Sequence, residues 1–364
     1  MRFLSLHAEQ FRNLQQVRVQ FSPDVNVLVG KNGQGKTSML EALYLLAGFR
    51  SFRGAKNRDL MLQGSDAARI VGEVEADGVE RTVELQLKPG AKRYLIDGKE
   101  PGALSEWVGK LLVVTFSPDD LYLVKGEPEL RRRWLDRLIF LLHPSHLSNV
   151  IGYTKALKSR NALLKDHMYG RDLMLLDSFD EALARLGIEV RKQRQKWARE
   201  VGALVASEIS EITGGLRVGG AGYESEVEED NVAALLEKLV RKREEDVRRK
   251  QTTYGVHHDD VALDFAGRDA RRFASQGEQR ALTLALKLAE TRLLQRERQT
   301  APVLLLDDVA GELDAERNRL LYQQLELGGG QVFMAGTERP EAALRAGQTA
   351  RIFSVEDGRI FEKN

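Results

Sequence analysis

The 364-residue chain contains no cysteine, so no disulfide can brace it and no thiolate can complete a zinc site. It has no apolar run near the roughly 20 residues that cross a bilayer. Its first ten residues, Met1 to Gln10, alternate like a strand and lack the apolar core of a signal peptide. A soluble, cytoplasmic protein is expected, with no membrane partner. Net charge is also lacking: charged residues make up 30% of the chain, yet the balance is only +1. A protein coated uniformly in nucleic acid is thereby disfavoured, and any basic surface has to be a local patch. There is no internal repeat. No heptad pattern persists long enough for an extended coiled coil, and Gly214-Gly215 and Gly219-Gly220 interrupt the helical region.

What is present is a strand, Val25 to Val29, running into Gly30-Lys31-Asn32-Gly33-Gln34-Gly35-Lys36-Thr37-Ser38. Glycines at 30, 33 and 35 let backbone N–H groups close on phosphate oxygens, and the following helix points its positive end at the same place. Lys36 supplies a point charge for the β- and γ-phosphates, and Thr37 a hydroxyl for Mg²⁺. Met39 to Ala47 reads as the helix, with Gly48 as its stop. Together these residues form a candidate site for a nucleoside triphosphate.

A second apolar strand, Val303-Leu304-Leu305-Leu306, ends in Asp307-Asp308. Asp307 is the candidate metal ligand, and Asp308 the candidate general base toward an attacking water. Upstream, Ser275-Gln276-Gly277-Glu278-Gln279 opens a helix with Leu282, Leu286, Ala289 and Leu293 on one face. On its own a Ser-x-Gly at a helix start is an ordinary N-cap. Between a phosphate loop and an acid-ended strand, the motif order resembles that of the ATP-binding-cassette ATPases. In that class the serine and neighbouring amides, here Ser275, Gly277 and Gln279, bind the γ-phosphate of ATP held by another subunit. Gly311-Glu312-Leu313-Asp314 matches the class's dimer-contacting loop. The resemblance therefore implies an ATP-bound homodimer.

Further stretches narrow the class: Phe11-Arg12-Asn13-Leu14, Leu40-Glu41-Ala42-Leu43-Tyr44, Ser51-Phe52-Arg53, Phe116-Ser117-Pro118-Asp119-Asp120-Leu121 and Arg132-Arg133-Trp134-Leu135-Asp136. In this order they resemble the RecF family of bacterial DNA-repair ATPases, whose heads are similar to those of SMC proteins. The resemblance implies an α/β P-loop ATPase head of ATP-binding-cassette/SMC type, with mixed sheets and an inserted helical lobe. It implies that Arg12 and Asn13 join the loop in holding ATP and Mg²⁺, and that the ATP-bound dimer clamps duplex DNA near single-strand gaps. It also implies cooperation with RecO and RecR in loading RecA, with weak, DNA-dependent hydrolysis as the reset. An alternative sharing the three core motifs is the energy-coupling subunit of an ATP-binding-cassette transporter. Three departures stand out. Gly255-Val256-His257-His258-Asp259-Asp260 replaces the family's Gly-Pro-His-Arg-Asp-Asp, Asp308 stands where transporters carry glutamate, and Ala335-Gly336-Thr337 replaces their switch histidine.

Composition divides the chain into a head, residues 1–116 and 264–364, and a mainly helical insertion, 117–263, assigned to DNA binding and the dimer clamp. In the head, strands are predicted near 2–8, 16–21, 25–29, 69–76, 81–87, 92–97 and 111–116, with a terminal hairpin around Asp357-Gly358. In the insertion Leu183, Leu186, Val190, Trp197, Val201 and Val205 recur at helical spacing. Two basic runs are candidate DNA surfaces: Arg131, Arg132 and Arg133, extending to Arg137, Lys155, Lys158 and Arg160; and Arg191, Lys192, Arg194, Lys196 and Arg199. His143 and His146 flank Pro144 and do not form a helical metal pair. His257 to Asp260 read as a polar stretch near the nucleotide or dimer surface.

Overall fold

The structure, a computed structural model, describes residues 1–48, 50–102, 106–165, 173–309, 315–338 and 349–363. Two compact units divide the chain: Met1–Leu121 with Thr283–Asn364, and Tyr122–Leu282.

In the first unit a six-stranded sheet runs in the order Arg359–Lys363, Ala350–Glu356, Val25–Val29, Val332–Gly336, Val303–Asp307, Val113–Phe116. All its pairings are parallel except the terminal hairpin. Strands covered on both faces need continuous apolar runs, and Val303–Asp307 is buried at every position. A five-stranded antiparallel sheet orders Leu14–Gln20, Arg2–Phe11, Ala68–Ala76, Val79–Lys88, Ala91–Ile96. The first strand outruns its predicted end at residue 8 because it is paired on both sides, with Leu14–Gln20 and with Ala68–Ala76. The helix Lys36–Leu46 packs on strands of both sheets, which explains why it is buried almost all round. It ends where expected: Gly48 takes a φ of +91° and donates its N–H to Leu45 O at 3.1 Å.

The second unit is built on the helices Pro128–Leu142, Ser145–Lys165, Asp177–Ile212 and Val232–Arg249. Leu183, Val190, Trp197, Val201 and Val205 are buried as their spacing predicts, and Leu186 is partly buried. The unit also contains a three-stranded antiparallel sheet, Gly219–Glu224, Asp260–Phe265 and Arg268–Asp269, that the composition hid. Gly219-Gly220, expected to break the helical region, opens the strand Gly219–Glu224. Its role is close packing: Gly219 lies so near Ile209 of the long helix that a methyl there would be 2.8 Å from its Cδ1, and one on Gly202 would be 2.2 Å from Ala221 O. Only Gly214-Gly215, both at positive φ, stops the helix. The units part at 121/122 and 282/283 instead of 116/117 and 263/264. The signature residues Ser275 to Gln279 thus fall in the second unit, at the start of the helix Gln276–Arg298. Among the described residues no helix is long and apolar enough to cross a membrane.

Candidate nucleotide site and basic surfaces

The phosphate loop leaves the parallel strand Val25–Val29 at its C-terminal end, where open α/β sheets place ligands. Its tip, Lys31 to Gly33, is exposed, whereas Gly35 and Lys36 are buried. Gly33 and Gly35 hold φ values of +80° and +121°, which side chains disfavour. The Lys36 ammonium sits inside the loop and donates to Gly30 O at 2.6 Å, Lys31 O at 3.1 Å and Asn32 Oδ1 at 3.5 Å. A buried cation at a helix N-terminus is an anion cradle.

Thr37 Oγ1 donates to Asp307 Oδ1 at 2.8 Å across 270 residues of sequence. The carboxyl of Asp307 is held above its usual range: burial raises it most, the Thr37 hydrogen bond opposes, and the neighbouring Asp308 charge raises it again. A hydroxyl beside two crowded carboxylates, one of them buried, suits a hard divalent cation, so Thr37 and Asp307 fit Mg²⁺. Asp308 adopts a φ of +51°, tolerable for aspartate, and its N–H reaches Ala335 O at 3.1 Å. Its side chain is half-buried and directly follows Asp307 at the end of the strand. Thr337 is exposed at the end of the adjoining strand Val332–Gly336.

Two residues expected to hold ATP directly do something else in the structure. Both ends of the Asn13 amide are engaged, Nδ2 donating to Gly33 O at 3.1 Å and Oδ1 accepting from Ser38 Oγ at 2.8 Å. Asn13 and Ser38 therefore hold the loop from outside. Arg12 forms a two-point pair with the fully buried Glu41, at 2.7 and 3.0 Å, and donates to Asp59 O at 2.8 Å. Ser51 bonds the same Glu41, and its hydroxyl accepts the N–H groups of Arg53 and Ala55 at 3.1 and 3.2 Å. The Arg12, Glu41 and Ser51 motifs thus form one buried network behind the loop. In the sequence the signal for Glu41 is a lone acid inside an apolar helix, since such a residue needs a partner.

In the second unit Ser275 is exposed and forms a capping box: its N–H donates to Glu278 Oε2 at 2.7 Å, and Glu278 N–H donates to Ser275 Oγ at 3.3 Å. Gln279 is buried and donates to Ala274 O at 2.9 Å, and Gly277 is half-buried. The signature thus has a clear local role in the single chain. Gly311 to Asp314 lie outside the described residues.

The basic runs separate by exposure. Arg131, buried, makes a two-point pair with Asp260 at 2.8 and 2.7 Å and donates to Gly126 O at 2.9 Å. Arg194, also buried, pairs twice with Asp136 at 2.8 Å and donates to Val256 O at 2.7 Å. Arg160, fully buried, pairs with Asp180 and Asp246 at 2.6 and 2.7 Å. These three arginines cannot track DNA phosphates, because carboxylates already enclose them away from solvent. Arg132 donates to Asp259 O at 2.5 Å and Arg191 to Glu229 O at 2.9 Å, each half-buried. Arg133, Lys192, Lys196 and Arg199 remain exposed; Arg133 pairs with Glu129, and Lys196 lies 4.6 Å from the Trp197 ring centroid.

In the stretch His257 to Asp260, Asp259 is buried, His257 and Asp260 are half-buried and His258 is exposed, and the stretch is tied to residues of the second unit. Tyr153 OH and His257 Nδ1 are 2.8 Å apart, His257 Nε2 meets Thr252 O at 3.1 Å, and Asp259 accepts from Tyr223 and Ser225. Among the described residues no cluster of three His, Cys, Asp or Glu side chains could hold a metal.

The family model for the RecF/RecN/SMC N-terminal domain matches residues 3–360. A DNA replication and repair protein RecF from Myxococcus xanthus (strain DK1622) is 38% identical over 93% of this chain and 91% of its own length. One from Anaeromyxobacter sp. (strain Fw109-5) is 39% identical over 99% of both chains. A solved structure of the recombination mediator protein RecF with ATP, in the RecFOR pathway, matches with a TM-score of 0.90 at 31% identity, covering 100% of this chain and 97% of that one. The Smc head domain of Pyrococcus furiosus, bound to the C-terminal domain of ScpA, shares the fold at a TM-score of 0.58 and 16% identity over 99% of this chain and 96% of that one. With the family model spanning nearly the whole sequence and relatives this similar end to end, the transporter alternative is set aside: the chain belongs to the RecF family of P-loop ATPases.

Proposed function

We propose that this chain is an ATP-dependent DNA-binding repair protein that dimerises on ATP, clamps duplex DNA near single-strand gaps and assists RecA loading with RecO and RecR. The observation that carries the ATP part is the 2.8 Å contact between Thr37 and Asp307, which unites the phosphate loop with the acid-ended strand. The DNA part is supported by the similarity to RecF proteins described as acting in DNA replication and repair, one of them in the RecFOR pathway.

In this reading Lys36 and the loop amides take the β- and γ-phosphates, while Thr37 and Asp307 hold Mg²⁺. A bound ion would neutralise negative charge on the phosphates. Asp308 orients the attacking water and accepts its proton. Ser275 of a second copy exchanges its capping bond for the γ-phosphate, so closure needs two chains. Slow hydrolysis reopens the clamp. Gel filtration of the full chain tests this: with Mg-ATP the apparent mass should double, with gapped duplex DNA the dimer should co-elute with it, and Lys36→Ala should stay monomeric. Asp308→Asn should accumulate the dimer. A wild-type monomer at every nucleotide concentration would sink the clamp.

A further inference from the structure

The tip of the C-terminal hairpin, Asp357-Gly358, touches the phosphate loop. Gly358 N–H donates to Gln34 O at 2.9 Å, and Asp357 N–H donates to Gln34 Oε1 at 2.6 Å. Gly358, at a φ of +74°, lies so close to Asn13 that a methyl there would be 2.0 Å from Asn13 O. On the same hairpin Val355 O closes on Gly30, where a methyl would sit 2.3 Å away. The loop is therefore backed by the hairpin at both ends, and two of these contacts exclude any side chain.

We propose that this hairpin tip, acting through Gln34, is a positioning latch of the ATP site. A trans peptide is planar, so its C=O and the following N–H point in opposite directions. Gly33 O is held from outside by Asn13 Nδ2, and Gln34 O by Gly358 N–H. Those two bonds turn the N–H groups of Gln34 and Gly35 to the opposite face of the loop, where an anion cradle requires them. The Gln34 side chain adds a second point of attachment, which stops the Gln34 peptide from flipping. Gly358 thus serves three partners at once: the Gln34 carbonyl, the Asn13 carbonyl and the turn itself. This makes a segment more than 300 residues away in sequence part of triphosphate binding. It deepens the proposed ATP role and rests on that reading.

The test is isothermal titration of the full-length protein with AMP-PNP and Mg²⁺. Gln34→Met keeps the length of the side chain and removes its acceptor, and one lost hydrogen bond predicts a rise in Kd of about two- to tenfold. Gly358→Ala should raise Kd further, by roughly tenfold or more on the same scale, with stoichiometry unchanged. Adding Gln34→Met to Gly358→Ala should cost little more, because both act through one contact. Unchanged Kd in both single variants overturns the latch. So does a fall in the number of sites at wild-type Kd, since that reports misfolded protein and not a misaimed loop. If the wild type binds no AMP-PNP, the ATP reading itself falls and the latch with it.

Discussion

Replacing Arg194 with alanine should unfold the second unit far more readily than its place in a basic run suggests. Its side chain is 7% exposed, and its guanidinium gives two hydrogen bonds to Asp136 and one to Val256 O. Burial by itself would raise the Asp136 carboxyl, yet Arg194, with His146, holds it down to about 2. Among the described residues, alanine leaves that half-buried carboxylate with His146, at 2.9 Å. Removing one partner of a buried ion pair costs about 3–5 kcal/mol. With a urea dependence of about 2 kcal/mol/M, the midpoint should fall by about 1.5–2.5 M. Urea unfolding followed by tryptophan fluorescence reads this, because Trp134 and Trp197 lie in the same unit. Arg194→Met combined with Asp136→Leu should recover part of the loss, since Asp136 no longer leaves an unpaired charge, whereas the buried Asp259, 3.7 Å from Arg194, still loses that cation. A variant Arg194→Ala that unfolds at the wild-type midpoint but loses duplex affinity would refute the burial argument and restore Arg194 to the DNA surface.

Lys192→Ala with Lys196→Ala should weaken duplex binding equally on every sequence and flatten the log–log salt dependence by roughly one unit per lost contact; unchanged affinity and slope would make that helix face merely solvated. Ser275→Arg and Lys36→Ala should each be inactive in ATP turnover and regain activity when mixed, whereas normal turnover by Ser275→Arg alone would place a complete site in one chain. Burial, aided by the His258 charge, pushes His257 down to about 4 from 6.5. The unfolded chain therefore binds the proton more readily, so this contribution is complete above about pH 6.5 and is lost as pH falls toward 4; it amounts to at most about 3 kcal/mol. His257→Phe should flatten the pH dependence of the urea midpoint across that window, and an unaltered profile would show that His257 does not titrate there.

The nucleotide loop, the acid-ended strand and the signature were legible because each is a local motif whose backbone geometry follows from its own residues. Gly30 to Thr37 can only turn tightly and present amides, and Val303–Asp307 can only be a buried strand ending in acid. Such runs mark individual strands of the six-stranded sheet but not its order, and the glycine-rich Gly219–Glu224 carries no apolar alternation to mark it as a strand. Charge was legible only as a count. The sequence placed Arg131 and Arg194 in basic runs, but their carboxylate partners stand 129 and 58 residues away, and only packing of the helices decided that these charges are buried. The same holds for Asn13, Arg12 and Gln34. Their side-chain types suit phosphate binding, and whether such a group faces a ligand or braces the loop from behind depends on which distant backbone closes on it. In this chain the C-terminal hairpin backbone meets Gln34, the Glu41 carboxylate meets Arg12, and Gly33 O with Ser38 Oγ meets Asn13, contacts that come from tertiary packing and not from the motifs themselves.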